Sequence, residues 1–285
     1  GRVRRPGDRG ARGTRSGLNP IVPLGPRHHE VKRLRALLRD ARARREQAAF
    51  VLEGPRVVAA ALDRGADLDT VYLAPGAERA FAPLVERIRG AGIRTEHLKE
   101  GVLERISATV TPQPVLAIAP RRPEPLDDLP DDGVVLVLVS VQDPGNAGTL
   151  IRTAEASGAA GVVCCGNSVD PHSPKVVRSS AGAIFGLAIA EGDDPVEVLA
   201  ALGARGRRRI GTAATGGDAP DRTDLTGPIA LVLGNEARGL SADLNDHLDA
   251  EVTIPVTGPA VDSLNVAMAG TVLCFEAARQ RRERS

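Results

Sequence analysis

Aromatic residues are scarce in this chain of 285 residues, which holds four Phe, one Tyr and no Trp. Its core must therefore be built from Val, Leu, Ile and Ala, and rows of stacked aromatic rings for single-stranded nucleic acid are excluded. Cysteine is rarer still, with three in all. Cys164 and Cys165 are adjacent in an apolar run, and Cys274 lies among apolar residues near the C-terminus. Three such thiols make no disulfide framework; they read as small buried hydrophobes in a reducing compartment. No Cys/His spacing resembles a metal site, since the pair His28-His29 has no thiol or carboxylate companion at ligand spacing. No metal is expected. No apolar run approaches a membrane span, and the N-terminal arginines are followed by no apolar leader segment. The expectation is a cytoplasmic protein without a membrane partner.

What the chain does have is charge, unevenly spread. Residues 1–45 hold 14 Lys+Arg against 3 Asp+Glu, whereas the remainder holds 23 against 33, so the net charge of +1 hides a basic arm on an acidic body. That asymmetry points to a polyanionic partner, most simply nucleic acid. Hydrophobic content of 42% and charged content of 26% are globular values.

Residues 1–27 are Arg, Gly and Pro with few apolar positions, and read as a flexible arm. A helix is predicted from His29 to Glu46. Short strands and helices then alternate up to Ala119, forming an α/β unit over residues 28–119. The stretch PRRPEPLDDLPDDG, from Pro120 to Gly133, reads as a linker and sets the boundary. Residues 134–285 alternate more strongly. The unbroken aliphatic run Val134 to Val139 fits a strand buried on both faces of a parallel sheet. Helices are predicted near 147–157, 174–183, 195–203, 241–248 and 263–280.

Three loops in this second half carry chemistry. Residues 141–152 read VQDPGNAGTLIR, where Gly145 and Gly148 permit a tight turn and close approach, Asn146 offers an amide, and Arg152 is placed near a helix start, within reach of an anion. Neither a Walker loop nor G-x-G-x-x-G is present, which removes the fingerprint of a dinucleotide-dependent oxidoreductase. Residues 231–241 read LVLGNEARGLS, an aliphatic strand ending at Gly234 with Glu236 in a glycine-bounded turn. Residues 254–269 read IPVTGPAVDSLNVAMA. There a strand stops at Pro255, a Gly/Pro loop follows, and Ser263 is predicted to cap a helix. Leu264, Met268, Val272 and Phe275 recur at helical spacing and predict a buried face.

N-x-G-x-x-x-R, then G-N-E-x-x-G-L-S, then I-P…S-L-N-V resemble the three signature motifs of the SpoU (TrmH) family of S-adenosylmethionine-dependent RNA 2′-O-ribose methyltransferases, in the SPOUT superfamily. The resemblance covers about residues 134–280. It implies a SPOUT-type α/β sheet whose C-terminal part threads a trefoil knot, preceded by a smaller L30e-like RNA-binding domain, and a homodimer joined through the knot region. It also implies that Gly234, Ile254 and Leu264 hold the cofactor, and that the functional positions are Asn146, Arg152, Glu236, Ser263 and Asn265. Between Ile254 and Ser263 the chain is one residue longer than many relatives. The implied substrate is RNA, with 23S rRNA preferred because a basic arm suits a large structured RNA. An arginine-rich, lysine-poor composition suggests a high-GC bacterium, and thiostrepton- and avilamycin-resistance methyltransferases of such organisms look similar. A transfer RNA methyltransferase and a non-catalytic ribosome assembly factor are the alternatives; calorimetry with the cofactor separates the latter from an enzyme.

Overall fold

The computed structural model describes residues 22–107, 111–258 and 263–284. Most of the expected arm, residues 1–27, therefore lies outside the described residues. The first unit comprises α1 (His29–Arg39), α2 (Ala41–Glu46), β1 (Ala49–Glu53), α3 (Pro55–Asp63), β2 (Thr70–Leu73), α4 (Ala77–Ala80), α5 (Ala82–Gly90), β3 (Arg94–His97), α6 (Val102–Ile106) and β4 (Val115–Pro120). The single helix predicted from His29 to Glu46 is two. Asp40 leaves helical geometry (φ −122°, ψ 116°) and its carboxylate accepts the Arg42 N–H at 2.8 Å, restarting the helix as a cap. The strands lie in the order β1-β4-β2-β3, with only β2 and β3 parallel. All five residues of β1 are buried. Strand alternation sends Val51 into one cluster with Leu34 and Ile118, and Phe50 and Leu52 into another with Val58 and Ile88.

The second unit comprises β5 (Val134–Val139), α7 (Pro144–Ser157), β6 (Gly161–Cys165), α8 (Pro174–Ser179), β7 (Ala188–Gly192), α9 (Pro195–Ala204), β8 (Arg208–Thr212), β9 (Ile229–Leu233), β10 (Ala250–Val252) and α10 (Val266–Arg284). Residues 242–247, predicted as a helix, form a 3-10 turn. The six strands are parallel, in the order β10-β8-β9-β5-β6-β7. Strand β5 is buried on both faces, as its aliphatic run predicts: Leu136 and Leu138 enter one cluster, Val135 and Val137 the other. The chain moves outward from β5 through β6 to β7, then crosses to β8 and returns to β9 on the other side of β5. Carboxyl ends of strands at such a reversal open a crevice suited to ligands. The three cysteines are buried, and burial pushes the Cys165 and Cys274 thiols up to about 12, which makes them inert. No described helix is long and apolar enough to cross a membrane.

The Pro/Asp-rich segment between the units is held rather than slack. Leu129 is buried, and Arg205 donates to the carbonyls of Leu126 and Leu129. Buried Arg207 donates to the Gly133 carbonyl at 2.7 Å. Charge pairs then join the units: Arg44 to Asp170 at 2.7 Å, Arg64 to Glu155 at 2.7 Å, and Arg178 to Glu53 at 3.3 Å. The Arg44–Asp170 pair is almost solvent-free, so removing one partner leaves an uncompensated buried charge at a cost of about 3–5 kcal/mol.

Candidate active site

At the end of β5, Asp143 caps α7: its carboxylate accepts the Asn146 N–H at 2.8 Å, and Pro144 occupies the first helical position. The helix therefore opens at Pro144, three residues before the predicted start at Ala147, because Asp-Pro is itself a start signal. Arg152 consequently lies about two turns into α7, not at its N-terminus. It is exposed there and makes no hydrogen bond or ion pair among the described residues. Gly148 serves packing: a Cβ would lie 1.8 Å from Ser179 Oγ, so α8 seats directly on the first turns of α7.

At the end of β9, Gly234 is buried and has no room for a side chain, since a Cβ would lie 2.2 Å from the Gly239 carbonyl carbon and 2.4 Å from Leu240 N. Asn235 and Gly239 exchange backbone hydrogen bonds at 3.0 and 2.9 Å, closing the loop on itself. The Asn235 amide donates to the Ser140 carbonyl at 2.9 Å and its oxygen accepts from the Ala237 N–H at 3.0 Å. Glu236 reaches across to the first loop and accepts from the N–H groups of Asp143 (2.9 Å) and Gln142 (3.3 Å) and from Asn146 Nδ2 (3.2 Å). Burial alone raises its carboxyl, but the N–H donors of Asp143 and its own residue, the Asn146 amide and the Gln142 N–H outweigh that and hold it below its ordinary value.

The third loop joins through Asn265. Its oxygen accepts from Ala267 N–H at 2.9 Å and Met268 N–H at 3.4 Å, so Asn265, not the predicted Ser263, caps α10, which starts at Val266. Its amide donates to Asn146 Oδ1 at 3.2 Å. Asn265, Asn146 and Glu236 thus form one hydrogen-bonded chain across all three loops. Residues 259–262, the second half of the loop where the extra residue falls, lie outside the described residues.

These loops border a cavity of about 530 Å³, of a size that accommodates a nucleoside cofactor. Gly234, Glu236, Ile254, Ser263 and Leu264 line it, with Thr212 at the end of β8 and Thr215 just beyond. Asn146 and Asn265 stand at its edge through Glu236, and Arg152 is bonded to none of them. The face predicted to be buried in the last helix is instead open: Leu264, Met268, Val272 and Phe275 are 39, 54, 44 and 46% exposed. The helix buries Ala267, Gly270, Leu273, Cys274 and Ala277, because small residues allow it to lie close on α7 and β9.

Sequence reading missed Asp143 and Asn235, although Asp before Pro at a strand end announces a cap. It also missed Asp170, His172 and Glu191, the one group of metal-ligating side chains among the described residues close enough to share an ion. Their separation along the chain gives no spacing signal. His172 Nδ1 lies 3.3 Å from Glu191 Oε1. Each carboxylate also faces a guanidinium, Arg44 on Asp170 and Arg121 on Glu191, so the carboxylates are balanced in charge and the cluster acts as a latch between the units.

The SpoU rRNA Methylase family matches residues 133–275, and the MRM3-like substrate binding domain matches residues 28–117. The chain is 31% identical over 265 residues to the 23S rRNA (uridine(2479)-2′-O)-methyltransferase of Streptomyces viridochromogenes, covering 90% of this chain and 91% of that protein. It is 34% identical over 184 residues to the 23S rRNA (guanosine(2553)-2′-O)-methyltransferase RlmP of Bacillus subtilis, covering 65% of this chain and 72% of that one. Among solved structures, the SpoU methyltransferase AviRb of Streptomyces viridochromogenes in complex with AdoMet superposes with a TM-score of 0.79 at 31% identity, over 90% of this chain and 99% of the other.

Proposed function

The chain belongs to the SpoU rRNA methylase family, and from that premise we propose that it methylates a ribose 2′-hydroxyl of 23S rRNA with S-adenosylmethionine as donor. The observation that carries this reading is the hydrogen-bonded chain Asn265–Asn146–Glu236 beside the cavity rimmed by Gly234, Ile254 and Leu264. The cavity fits the cofactor: its volume suffices, its floor at Gly234 is bare main chain, and Ile254 and Leu264 offer apolar surface to an adenine. Bound there, the cofactor supplies a methyl group already activated by its sulfonium, so the protein's main task is alignment, an effect of about 7–11 kcal/mol when geometry is well fixed.

Arg152 supplies a fixed positive charge. A guanidinium is protonated throughout the physiological range and cannot act as a base. It grips the target phosphate and stabilises the oxygen as it loses its proton. Glu236 is no base either, because its oxygens are engaged by four donors, the N–H groups of Gln142 and Asp143 and the amides of Asn146 and Asn235, and its carboxyl is held acidic. The proton passes to the substrate phosphate or to water. Asn146 and Asn265 hold the loops in register, and Ser263, on the cavity wall, fixes the ribose or its neighbouring backbone.

Residues 1–27 and the unit at 28–119 grip RNA through phosphate contacts, residues 120–133 connect, and residues 134–285 carry the reaction. The preference for 23S rRNA is supported by the basic N-terminal segment and by the two relatives named above. The exposed stripe Leu264, Met268, Val272 and Phe275 supports a homodimer through this face, and the return of α10 across β9 and α7 supports a knotted C-terminal path. We carry protection of the host ribosome against an antibiotic in the cytoplasm as the finer biological reading. Mapping 2′-O-methyl marks on 23S rRNA after incubation with protein and cofactor tests the activity; one new ribose mark is expected, and none on rRNA beside one on tRNA contradicts the substrate. Expression in a drug-sensitive bacterium tests the resistance role; unchanged inhibitory concentrations contradict it.

A further inference from the structure

Helix α7 carries a carboxylate where the reaction is best served without one. Glu155 stands three residues beyond Arg152, a spacing at which opposite charges meet on a helix surface. The two do not pair. Glu155 Oε1 instead accepts from Arg64 at Nε (3.2 Å) and Nη2 (2.7 Å), and Arg64 is the C-terminal cap of α3 in the other unit. The surroundings make room for this bond: a Cβ on Gly186 would lie 2.5 Å from Glu155 Oε1 and 3.2 Å from Arg64 Nε. Arg152 is thereby left without a partner among the described residues, free for a phosphate.

We propose that Arg64 holds Glu155 away from Arg152, so that docking of the N-terminal unit keeps the site's cation available to RNA. This rests on the reading of Arg152 given above. Arg64 and Glu155 are positioning residues: neither touches substrate, and each acts through the charge state of the Arg152 surroundings. Without Arg64, Glu155 swings to the ordinary helix-surface pair, which at about 0.5 kcal/mol occupies roughly half of the Arg152 side chains and lowers activity about two-fold.

The test measures kcat/KM for rRNA methylation in full-length Arg64→Ala, Glu155→Gln and the double variant, with calorimetry of the cofactor confirming that each folds. Arg64→Ala is expected to fall about two-fold, measured against replicate wild-type assays, with unchanged cofactor affinity. Glu155→Gln, which keeps a hydrogen bond to Arg64 and loses the charge, is expected to remain near wild type, and the double variant to recover. A double variant as slow as Arg64→Ala overturns the proposal, since the pair is then docking glue or Arg64 itself meets RNA. So does an Arg64→Ala protein of full activity. Arg152→Ala, assayed alongside, separates the two readings: if it is inactive while Arg64→Ala is unimpaired, only this proposal fails, whereas full activity of Arg152→Ala refutes the role of Arg152 itself.

Discussion

Replacing Gly234 by Ala is expected to damage cofactor binding while sparing the fold. The added Cβ would sit 2.2 Å from the Gly239 carbonyl carbon, 2.4 Å from Leu240 N and 2.5 Å from the Gly239 carbonyl oxygen. All three are main-chain atoms, so no side chain can rotate aside, and the loop 234–240 must move as a body. Overpacking of this kind costs about 1–3 kcal/mol. The strain falls on a loop that lines the cavity, whereas the sheet behind it, Ile229 to Leu233, is fully buried and paired on both sides. The cost therefore appears mainly as lost affinity, about five- to 150-fold in the Kd for S-adenosylmethionine, using 1.4 kcal/mol per ten-fold. Isothermal titration measures it, with Gly227→Ala as control, because nothing lies within 4 Å of a Cβ there. An affinity within two-fold of wild type for Gly234→Ala would refute the idea that the cofactor rests against this main chain.

The same geometry sets expectations for the clasp, the apolar stripe and the basic segment. Glu236 has a depressed carboxyl, so its contribution is complete above the ordinary carboxylate value of about 4.5 and is lost only as pH falls through the lower folded value; cofactor affinity should be flat from pH 8 to 5.5, and a decline centred above pH 5 would contradict the clasp. The unaltered protein is expected to be a dimer by light scattering, and Met268→Arg, which places a charge in the exposed apolar stripe, a monomer with the α-helical signal unchanged; a dimeric variant would move the proposed interface elsewhere. Removing residues 1–21, which hold six Arg and one Asp, should weaken rRNA binding and flatten its salt dependence, by up to about 0.7–0.9 in slope for each phosphate no longer neutralised. An unchanged slope would contradict a role for this segment in gripping RNA. A deletion reaching residue 45 would be uninformative, because it removes buried Leu34 and Leu37 and the Arg44 latch.

Much of the framework was legible because its signals are local. An aliphatic run such as Val134 to Val139 has few other solutions than a central parallel strand, and Gly234-Asn-Glu236 after a strand marks a shaped turn. What stayed hidden depends on partners distant in the chain. Ser263 and Asn265 are both good caps, and only the structure tells them apart: Asn265 accepts the Ala267 N–H and its amide reaches Asn146, 119 residues away in the chain. Helical spacing identifies an apolar stripe at Leu264, Met268, Val272 and Phe275, but periodicity cannot say whether the covering surface belongs to the same chain. The helix buries its small residues instead, a choice set by the close approach of Gly270 to Leu150. The pairing of Arg64 with Glu155 is equally invisible in sequence, since 91 residues separate them.

The central claim is that three separated loops build one cofactor site that faces Arg152. A crystal structure of the protein with S-adenosylmethionine bound tests it most directly. The account predicts the ligand in the cavity against Gly234, Ile254 and Leu264, with its methyl group turned toward the Asn146 and Arg152 side of α7. Density for the ligand outside that cavity, or a methyl group directed away from α7, would contradict it.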